Sequence, residues 1–204
     1  MKKEHKQIIL GIDPGTIVMG YGLIAIEASK LSLVEMGVLK LAQYKKHPER
    51  LSFIFKKMET LIQQHQPYAV AIEAPFFGKN VQSMLKLGRA QGVAIAAAMM
   101  HQLEAIEYAP RKVKQAITGK GAASKEQVWS MLQRILSFDE RPEFMDATDA
   151  VAVALCHYYQ TKHKLPELET VQNKLKLPVN AKKSNWNAFV QLNPNRIITT
   201  KKAK

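Results

Sequence analysis

"LGIDPGTIVMGYGLI", residues 10–24, places one carboxylate, Asp13, at the end of an apolar run and follows it with Pro14 and Gly15. A short apolar run bounded by turn residues predicts a buried central strand over residues 8–12. Because the strand fixes the backbone of Asp13 and the turn opens a cleft above it, this carboxylate can hold a metal ion or polarise a ligand. An aspartate that only caps the turn is the alternative, and this stretch alone leaves both interpretations open.

The same pattern returns in "YAVAIEA", residues 68–74, where Glu73 stands near the end of an apolar run and Pro75 follows. A buried carboxylate without a partner is costly, so packing alone does not explain Glu73. If the two strands are parallel neighbours, their carboxyl ends meet at one edge of the sheet, where α/β proteins place their sites. The sequence therefore predicts that Asp13 and Glu73 lie together.

The remaining chain predicts an α/β protein with a five-stranded mixed sheet flanked by helices. Loose alternation indicates antiparallel strands over 19–28 and 31–41, and a short apolar run indicates a strand over 105–109. Apolar spacing and capping residues predict helices over about 48–65, 80–102, 110–117 and 124–136, with a last helix beginning near 144. The strand order and the lack of a GxGxxG turn argue against a dinucleotide-binding fold.

The predicted helix over 80–102 contains Gly88 and Gly92 among many alanines. Glycine inside a helix costs about 1 kcal/mol relative to alanine. These glycines therefore suggest that another backbone lies close to the helix. The neighbour is either the sheet or a second subunit.

The charge of the chain indicates a polyanionic partner. Thirty Lys and Arg against 17 Asp and Glu give a net charge of +13, which attracts nucleic acid or an anionic membrane surface. Residues 161–204 carry ten Lys and Arg against two Glu, and residues 1–160 are basic as well. We predict one folded domain over 1–160 and a basic, partly disordered tail over 161–204.

Nothing in the sequence predicts a membrane segment or a secretion signal. The longest aliphatic run, residues 92–100, is far shorter than the roughly 20 residues that a membrane-spanning helix needs. The single cysteine, Cys156, excludes an internal disulfide and fits a reducing compartment. We therefore expect a soluble, cytoplasmic protein with no membrane partner.

Two more acids, Asp146 and Asp149, stand three residues apart at the start of the last predicted helix and so share a face. Four carboxylates at one point would repel each other, which makes a divalent cation their natural partner, and oxygen ligands suit Mg²⁺ or Mn²⁺. Two such cations about 3.5–4 Å apart can activate a water and stabilise the leaving oxygen of a phosphodiester. The alternative for this pair is a favourable interaction with the helix dipole and no catalytic role.

Four blocks of the sequence resemble, in order and spacing, the RuvC Holliday-junction resolvases. They are "ILGIDPGT…GYG", "AIEAPFFGKN…SMLKLGRAQGVAIAA", "YAPRKVKQAITGKGAASKEQV" and "DATDAVAVALCH", within residues 8–159. The resemblance implies a ribonuclease H-like fold and a homodimer that nicks two strands of like polarity at a four-way DNA junction in recombination and repair. It also implies that the helix from Asn80 is the dimer contact. A branch-migration helicase complex of the RuvA and RuvB type is the further partner that the family implies.

Residue by residue, the resemblance implies a set of site residues. The family's metal-binding acids, which would hold two Mg²⁺ ions with Mn²⁺ as a substitute, fall on Asp13, Glu73, Asp146 and Asp149. The family's base-stacking aromatic falls on Phe76, where stacking is worth about 1–3 kcal/mol per base. Its phosphate-contacting lysines fall on Lys114 and Lys125. Core packing for Phe76 and a solvated surface for the two lysines are the alternatives.

One departure from the family bears on DNA contact. After the first turn the family often has a Ser-Arg pair where this chain has Thr16 and Ile17, which removes a possible phosphate contact. The sequence as a whole predicts a Mg²⁺-dependent, structure-selective endodeoxyribonuclease. The alternatives are a ribonuclease H-like nuclease acting on RNA or RNA–DNA hybrids, and a nonenzymatic junction-binding protein with a vestigial site. The presence of all four acids argues against the last.

Overall fold

The computed structural model describes residues 6–28, 30–75, 80–139 and 143–162. The described residues form five strands and five helices in the order that the sequence predicts. In chain order they are β1 (Gln7–Asp13), β2 (Val18–Glu27), β3 (Lys30–Lys40), a 3₁₀ turn (Leu41–Gln43), α1 (His47–His65), β4 (Ala69–Glu73), α2 (Val81–Met100), β5 (Glu104–Tyr108), α3 (Pro110–Thr118), α4 (Lys125–Leu136) and α5 (Met145–Lys162). Within these ranges, no helix combines the length and apolarity needed to cross a bilayer. The predicted tail lies outside the described residues from 163 onward.

The strands form one mixed sheet in the order β3-β2-β1-β4-β5. β1 pairs antiparallel with β2, and β2 pairs antiparallel with β3, whereas β1–β4 and β4–β5 are parallel pairs. The two acid-terminated strands, β1 and β4, are therefore parallel neighbours, which is the condition under which their acids meet at one edge. In the β1–β4 register Ile12 lies beside Ile72, so the next residues, Asp13 and Glu73, end the two strands side by side.

The alternation of side chains along the strands separates two cores. Leu10 and Ile12 of β1 belong to the core under α1 and α2, whereas Ile9 faces the core formed with α3, α4 and α5. Successive residues of a strand point to opposite faces. Asp13 therefore shares the face of Ile9, and Glu73 shares the face of Ala71, which is the face that α5 covers.

Three glycines on this face let the backbone of α5 lie directly on the sheet. A Cβ on Gly11 would collide with the carbonyl oxygen of Ala150, and one on Gly20 would collide with the carbonyl oxygen of Asp146. A Cβ on Gly22 would collide with the side chain of Val151. This glycine floor, Gly11, Gly20 and Gly22, is what brings the first turns of α5 close to the ends of β1 and β4.

The helix α2 has a buried face and an exposed face. Its buried face is alanine-rich and packs in the core under α1. A Cβ on Gly88 or Gly92 would meet no described atom within 4 Å, so the interpretation that these glycines pack on the sheet is wrong. The exposed large apolar side chains of the helix are Val81, Leu85, Met99 and Met100.

Candidate metal and nucleic-acid site

Asp13 and Glu73 form a hydrogen-bonded pair of carboxyl groups at the ends of β1 and β4. Burial, reinforced by the negative charges of Glu73, Asp149 and Asp146, raises the pKa of Asp13 to about 9. Burial also raises the pKa of Glu73, although its hydrogen bond with Asp13 acts in the opposite direction. Both carboxyl groups are therefore harder to ionise than free carboxyl groups, and the raised pKa of Asp13 favours its protonated form.

The first turns of α5 add Asp146 and Asp149 to the pair. Both charges raise the pKa of Asp13, with Asp149 exerting the larger effect. Asp149 accepts a hydrogen bond from the Nζ atom of Lys125 at 2.6 Å, and its side chain is only 18% exposed. Burial lowers the pKa of Lys125, but the hydrogen bond and charge of Asp149 outweigh it, so the pKa of Lys125 is raised overall.

Lys125 is held by the start of α4. Ser124 is the N-cap of this helix, and its side chain accepts a hydrogen bond from the backbone N–H of Gln127 at 3.3 Å. The Gln127 side chain in turn accepts from the backbone N–H of Ser124 at 2.9 Å. The capping box predicted from the sequence is confirmed, and it fixes Lys125 as the first helical residue, with its ammonium at Asp149.

The structure also brings Lys114, on α3, to the acids. The positive charges of Lys125 and Lys114 both lower the pKa of Glu73, against the effect of burial. Two cations and four acids thus share the carboxyl edge of the sheet. Phe76, the predicted base-stacking residue, lies outside the described residues.

The four acids are neighbours, but in this arrangement they are not assembled as metal ligands. Within the described ranges, no three His, Cys, Asp or Glu side chains meet at distances that would hold a metal ion. Asp13 is hydrogen-bonded to Glu73, and Asp149 is bound by Lys125, so both acids already have partners. The proton and the ammonium group supply positive charge that a cation could supply instead. A donor set of four half-buried carboxylates fits a hard divalent cation.

The loop that follows Asp13 is fixed by a residue that the sequence patterns did not reveal. Arg50, on α1, donates from Nη1 to the carbonyl oxygen of Thr16 at 2.7 Å and from Nε to that of Tyr44 at 2.9 Å. The backbone N–H of Leu41 donates to the carbonyl oxygen of Ile17 at 2.8 Å. Arg50 thus joins the loop after β1 to the segment that precedes α1.

The glycine floor was also missed, although the sequence contained a signal for it. Gly20 and Gly22 are two residues apart in β2, so they share one face of the strand. In the sheet Gly20 lies beside Asp13, and Gly22 lies beside Gly11. Glycines that recur with a period of two along a strand indicate close approach of another backbone.

The raised pKa of Asp13 predicts a pH-dependent stability of the protein in EDTA. Asp13 keeps its proton in the folded chain up to a pKa of about 9 but loses it near 3.8 when unfolded, so between these values the folded state binds more protons. The free energy of unfolding contributed by Asp13 therefore falls as the pH rises through this window, by at most about 1.4 kcal/mol per pH unit.

Urea unfolding at a series of pH values, for wild type and Asp13→Asn, measures this contribution as a difference. We expect the variant to gain stability relative to wild type as the pH rises from 5 to 8, on the order of 1 kcal/mol or more over that span. Subtraction removes the contribution of His47, whose pKa is lowered, chiefly by burial, and which acts with the opposite sign. A difference that does not change with pH would contradict the prediction.

The sheet order, the acids at the ends of β1 and β4 and the helix that carries two more acids define a ribonuclease H-like nuclease fold. Comparison with known proteins specifies the class further. The family model described as "Crossover junction endodeoxyribonuclease RuvC" matches residues 9–157. The chain belongs to the RuvC family of endodeoxyribonucleases.

Relatives and solved structures agree with this assignment. A crossover junction endodeoxyribonuclease RuvC from Cytophaga hutchinsonii is 53% identical over 197 residues, which cover 97% of this chain and 91% of the relative. One from Christiangramia forsetii is 49% identical and covers 95% of this chain and 94% of its own length. The solved structure of Thermus thermophilus RuvC in complex with a Holliday junction substrate is 33% identical, with a TM-score of 0.73 over 78% of this chain and 96% of that chain.

Proposed function

We propose that this protein resolves four-way DNA junctions by paired symmetric nicks, in homologous recombination and repair. The proposal rests most directly on the placement of Asp13 and Glu73 side by side at the ends of the paired strands β1 and β4, with Asp146 and Asp149 in the first turns of α5. Membership of the RuvC family and the junction bound in the Thermus thermophilus structure support the substrate. We assign the nuclease domain to residues 1–160 and a basic tail to residues 161–204.

We propose that Mg²⁺ is the cofactor, with two ions per site and Mn²⁺ as a substitute, held by Asp13, Glu73, Asp146 and Asp149. Bound cations would supply an activated water and stabilisation of the leaving oxygen of the phosphodiester. Asp13 and Glu73 hold the ligand oxygens in place because they end two paired strands. Asp146 and Asp149 complete the ligand set from the first turns of α5.

The two lysines contribute positive charge to the phosphate in this proposal. Lys125 is bound to Asp149 at 2.6 Å, and its side chain is 52% exposed, so its ammonium can turn to a phosphate oxygen when Asp149 binds a cation. Lys114 lies close enough to Glu73 to lower the pKa of that carboxyl, against the effect of burial. Charges in these positions stabilise the negative charge that develops on the phosphate during cleavage.

We further propose a homodimer built through α2. Val81, Leu85, Gly88, Gly92 and Met99 recur at intervals of three, four or seven residues, so they form one exposed stripe along the helix, which we call the α2 stripe. Exposed apolar side chains beside glycines that meet no described atom fit close packing against a second copy. Two symmetric nicks require two sites related by a two-fold axis, which such a dimer provides.

Two further parts of the proposal concern the surroundings of the protein. A branch-migration helicase complex of the RuvA and RuvB type is the partner that membership of the RuvC family suggests. A cytoplasmic location follows from the proposed substrate, because chromosomal DNA lies in the cytoplasm of bacteria such as Cytophaga hutchinsonii, the source of one relative. Co-purification from a bacterial host with the intact chain tests the first, and cell fractionation tests the second.

The α2 stripe leads to a prediction about assembly. Leu85→Glu places a charge in the stripe, where its burial against a second copy would be strongly unfavourable. We expect the dimer dissociation constant to rise at least about 100-fold, equivalent to about 2.7 kcal/mol. Analytical ultracentrifugation measures this, and Ser83→Glu, an exposed change on the same helix outside the stripe, is the control. A Leu85→Glu protein that dimerises as the control does would contradict the α2 interface.

An end-labelled four-way junction, its matching linear duplex and an RNA–DNA hybrid, each with Mg²⁺ or EDTA, test the proposed function. We expect paired symmetric nicks on the junction alone and only with Mg²⁺, mapped on a denaturing gel. Preferential cutting of the hybrid would favour another ribonuclease H-like activity. Tight junction binding without nicks, in Mg²⁺ and in Mn²⁺, would favour a nonenzymatic junction-binding protein.

A further inference from the structure

His47, the first residue of α1, lies among positive charges that have no acidic partner. The charged groups that act on its ring are Arg89, Lys86 and Arg50, and they lower the pKa of His47 together with burial, which is the largest cause. The ring nitrogens Nδ1 and Nε2 are enclosed, and neither has a hydrogen-bond partner among the described residues. We call His47, Arg50, Lys86 and Arg89 the basic cluster.

The basic cluster is built from two packed helices. Lys86 and Arg89 are three residues apart on α2, so both point to the same side of the helix, and both are exposed. His47 and Arg50 come from the first turn of α1, which packs against α2. Lys86 and Arg89 lie beside the α2 stripe rather than in it, so a dimer through the stripe would leave them at its border.

No carboxylate neutralises the basic cluster in the part of the chain that the structure describes. The ion pairs found there join Lys40 to Glu143, His65 to Glu35 and Lys125 to Asp149. Glu49 is the acid nearest to His47 in sequence, but its side chain accepts a hydrogen bond from the backbone N–H of Lys46 at 3.3 Å. Three cations around a neutral imidazole therefore leave an excess of positive charge.

A direct contact links the basic cluster to the candidate metal site. Arg50 donates to the carbonyl oxygen of Thr16, three residues after Asp13, at 2.7 Å. The loop from Pro14 to Ile17 carries no charged side chain. The basic cluster thus places the positive charges of α1 and α2 beside a loop that has no positive charge.

We propose that Lys86 and Arg89 bind a backbone phosphate of an arm of the junction, and that Arg50 joins this phosphate site to the loop after Asp13. This inference rests on the proposed junction-resolving function. A phosphodiester supplies the negative charge that the cluster lacks, and a contact to the backbone positions DNA without reading its sequence. The site lies beside the α2 stripe, and Arg50 connects it to the loop that follows Asp13.

The salt dependence of junction binding in EDTA tests this site, because neutralised phosphates release counterions. For the double variant Lys86→Ala/Arg89→Ala we expect an affinity loss of at least about 10-fold at low salt and a log–log salt slope smaller by about 1–2. Lys6→Ala/Lys30→Ala is the matched control. It removes two exposed cations at the end of the sheet away from Asp13. Lys6 precedes Gln7, which pairs with Ile26, and Lys30 pairs with Glu27.

The charge-preserving variant Lys86→Arg/Arg89→Lys separates charge from structure. We expect it to keep the wild-type salt slope, and ultracentrifugation should show that both variants assemble as wild type does. An alanine variant with the slope of the Lys6→Ala/Lys30→Ala control, or a charge-preserving variant with the reduced slope, would overturn the phosphate site. Wild-type protein that neither binds nor nicks junctions would instead overturn the proposed function, so the two failures are distinguishable.

Discussion

Asp13→Asn should cut four-way junctions at least about 10³-fold more slowly than wild type at saturating Mg²⁺, the upper range for removal of one group that stabilises a transition state. Asp13 ends β1 beside Glu73 and is affected by the charges of all three other acids. It therefore lies at the centre of the proposed ligand set, where an amide cannot supply the negative charge that a divalent cation requires. Junction binding in EDTA should persist, because the amide keeps the shape of the carboxyl group.

Single-turnover cleavage at saturating enzyme measures the chemical step of this variant. Asp139→Asn, the same change at an exposed aspartate after α4, is the matched control and should cleave as wild type does. Urea unfolding in EDTA at pH 8 shows whether the fold is intact, and we expect Asp13→Asn to be at least as stable as wild type there. An intact Asp13→Asn protein that cleaves at the wild-type rate would refute the assignment of Asp13.

Gly11→Ala should destabilise the fold by about 3 kcal/mol and reduce cleavage as well, since overpacking a well-filled core costs about 1–3 kcal/mol and occasionally more. The new methyl would collide with the carbonyl oxygen of Ala150 and would lie 2.9 Å from the Cβ atom of Ala154. Backbone atoms of a buried helix cannot move aside as a flexible side chain can. The helix α5 would have to shift, and Asp146 and Asp149 would shift with it.

Urea unfolding measures the decrease in the free energy of unfolding. The cleavage rate of the protein that remains folded reports the displacement of Asp146 and Asp149. Ser130→Ala, an exposed position of α4 outside the acidic site and the α2 stripe, is the control, since alanine is the better helix former. We expect the control to leave the stability of the monomer unchanged or raised. A Gly11→Ala protein as stable as wild type, within about 0.5 kcal/mol, would show that α5 does not rest on this glycine.

The elements of the sheet were predictable because each has a local pattern. The runs that end in Asp13 and Glu73 predicted two buried strands, and they predicted that the acids meet at one edge if these strands are parallel neighbours. The register, with Ile12 beside Ile72, agrees. Local hydrophobic patterning and a single chemical argument were sufficient, since a pair of strands has few ways to bring two acids to one edge.

The contacts that organise the site were not predictable in the same way. Lys125 and Asp149 are 24 residues apart, and Arg50 and Thr16 are 34 apart. No periodicity connects such positions, because their meeting depends on how α1, α4 and α5 pack on the sheet. The resemblance to a family placed Lys125 at the phosphate, but only the structure showed its ammonium on an acid.

The glycines of α2 show where a correct physical argument can point to two structures. Glycine in a helix indicates a close neighbour, and both the sheet and a second chain satisfied that argument. Gly88 and Gly92 meet no described atom within 4 Å, which removes the sheet. A monomer sequence carries no pattern that separates an intramolecular neighbour from an intermolecular one, since both demand small residues at the same spacing.

The burial of α5 limits the local unfolding that would move the acidic residues of the site. The helix is buried over residues 147–148 and 150–158, and its first turn is held by the contact of Asp146 with Gly20. Amide hydrogens in such a helix exchange with solvent chiefly when the whole domain opens, because no smaller opening exposes them. The buried run of α5 therefore belongs to a slowly exchanging unit of the described domain, and Asp149, which lies within that run, keeps its position through the local fluctuations that loosen loops and helix ends.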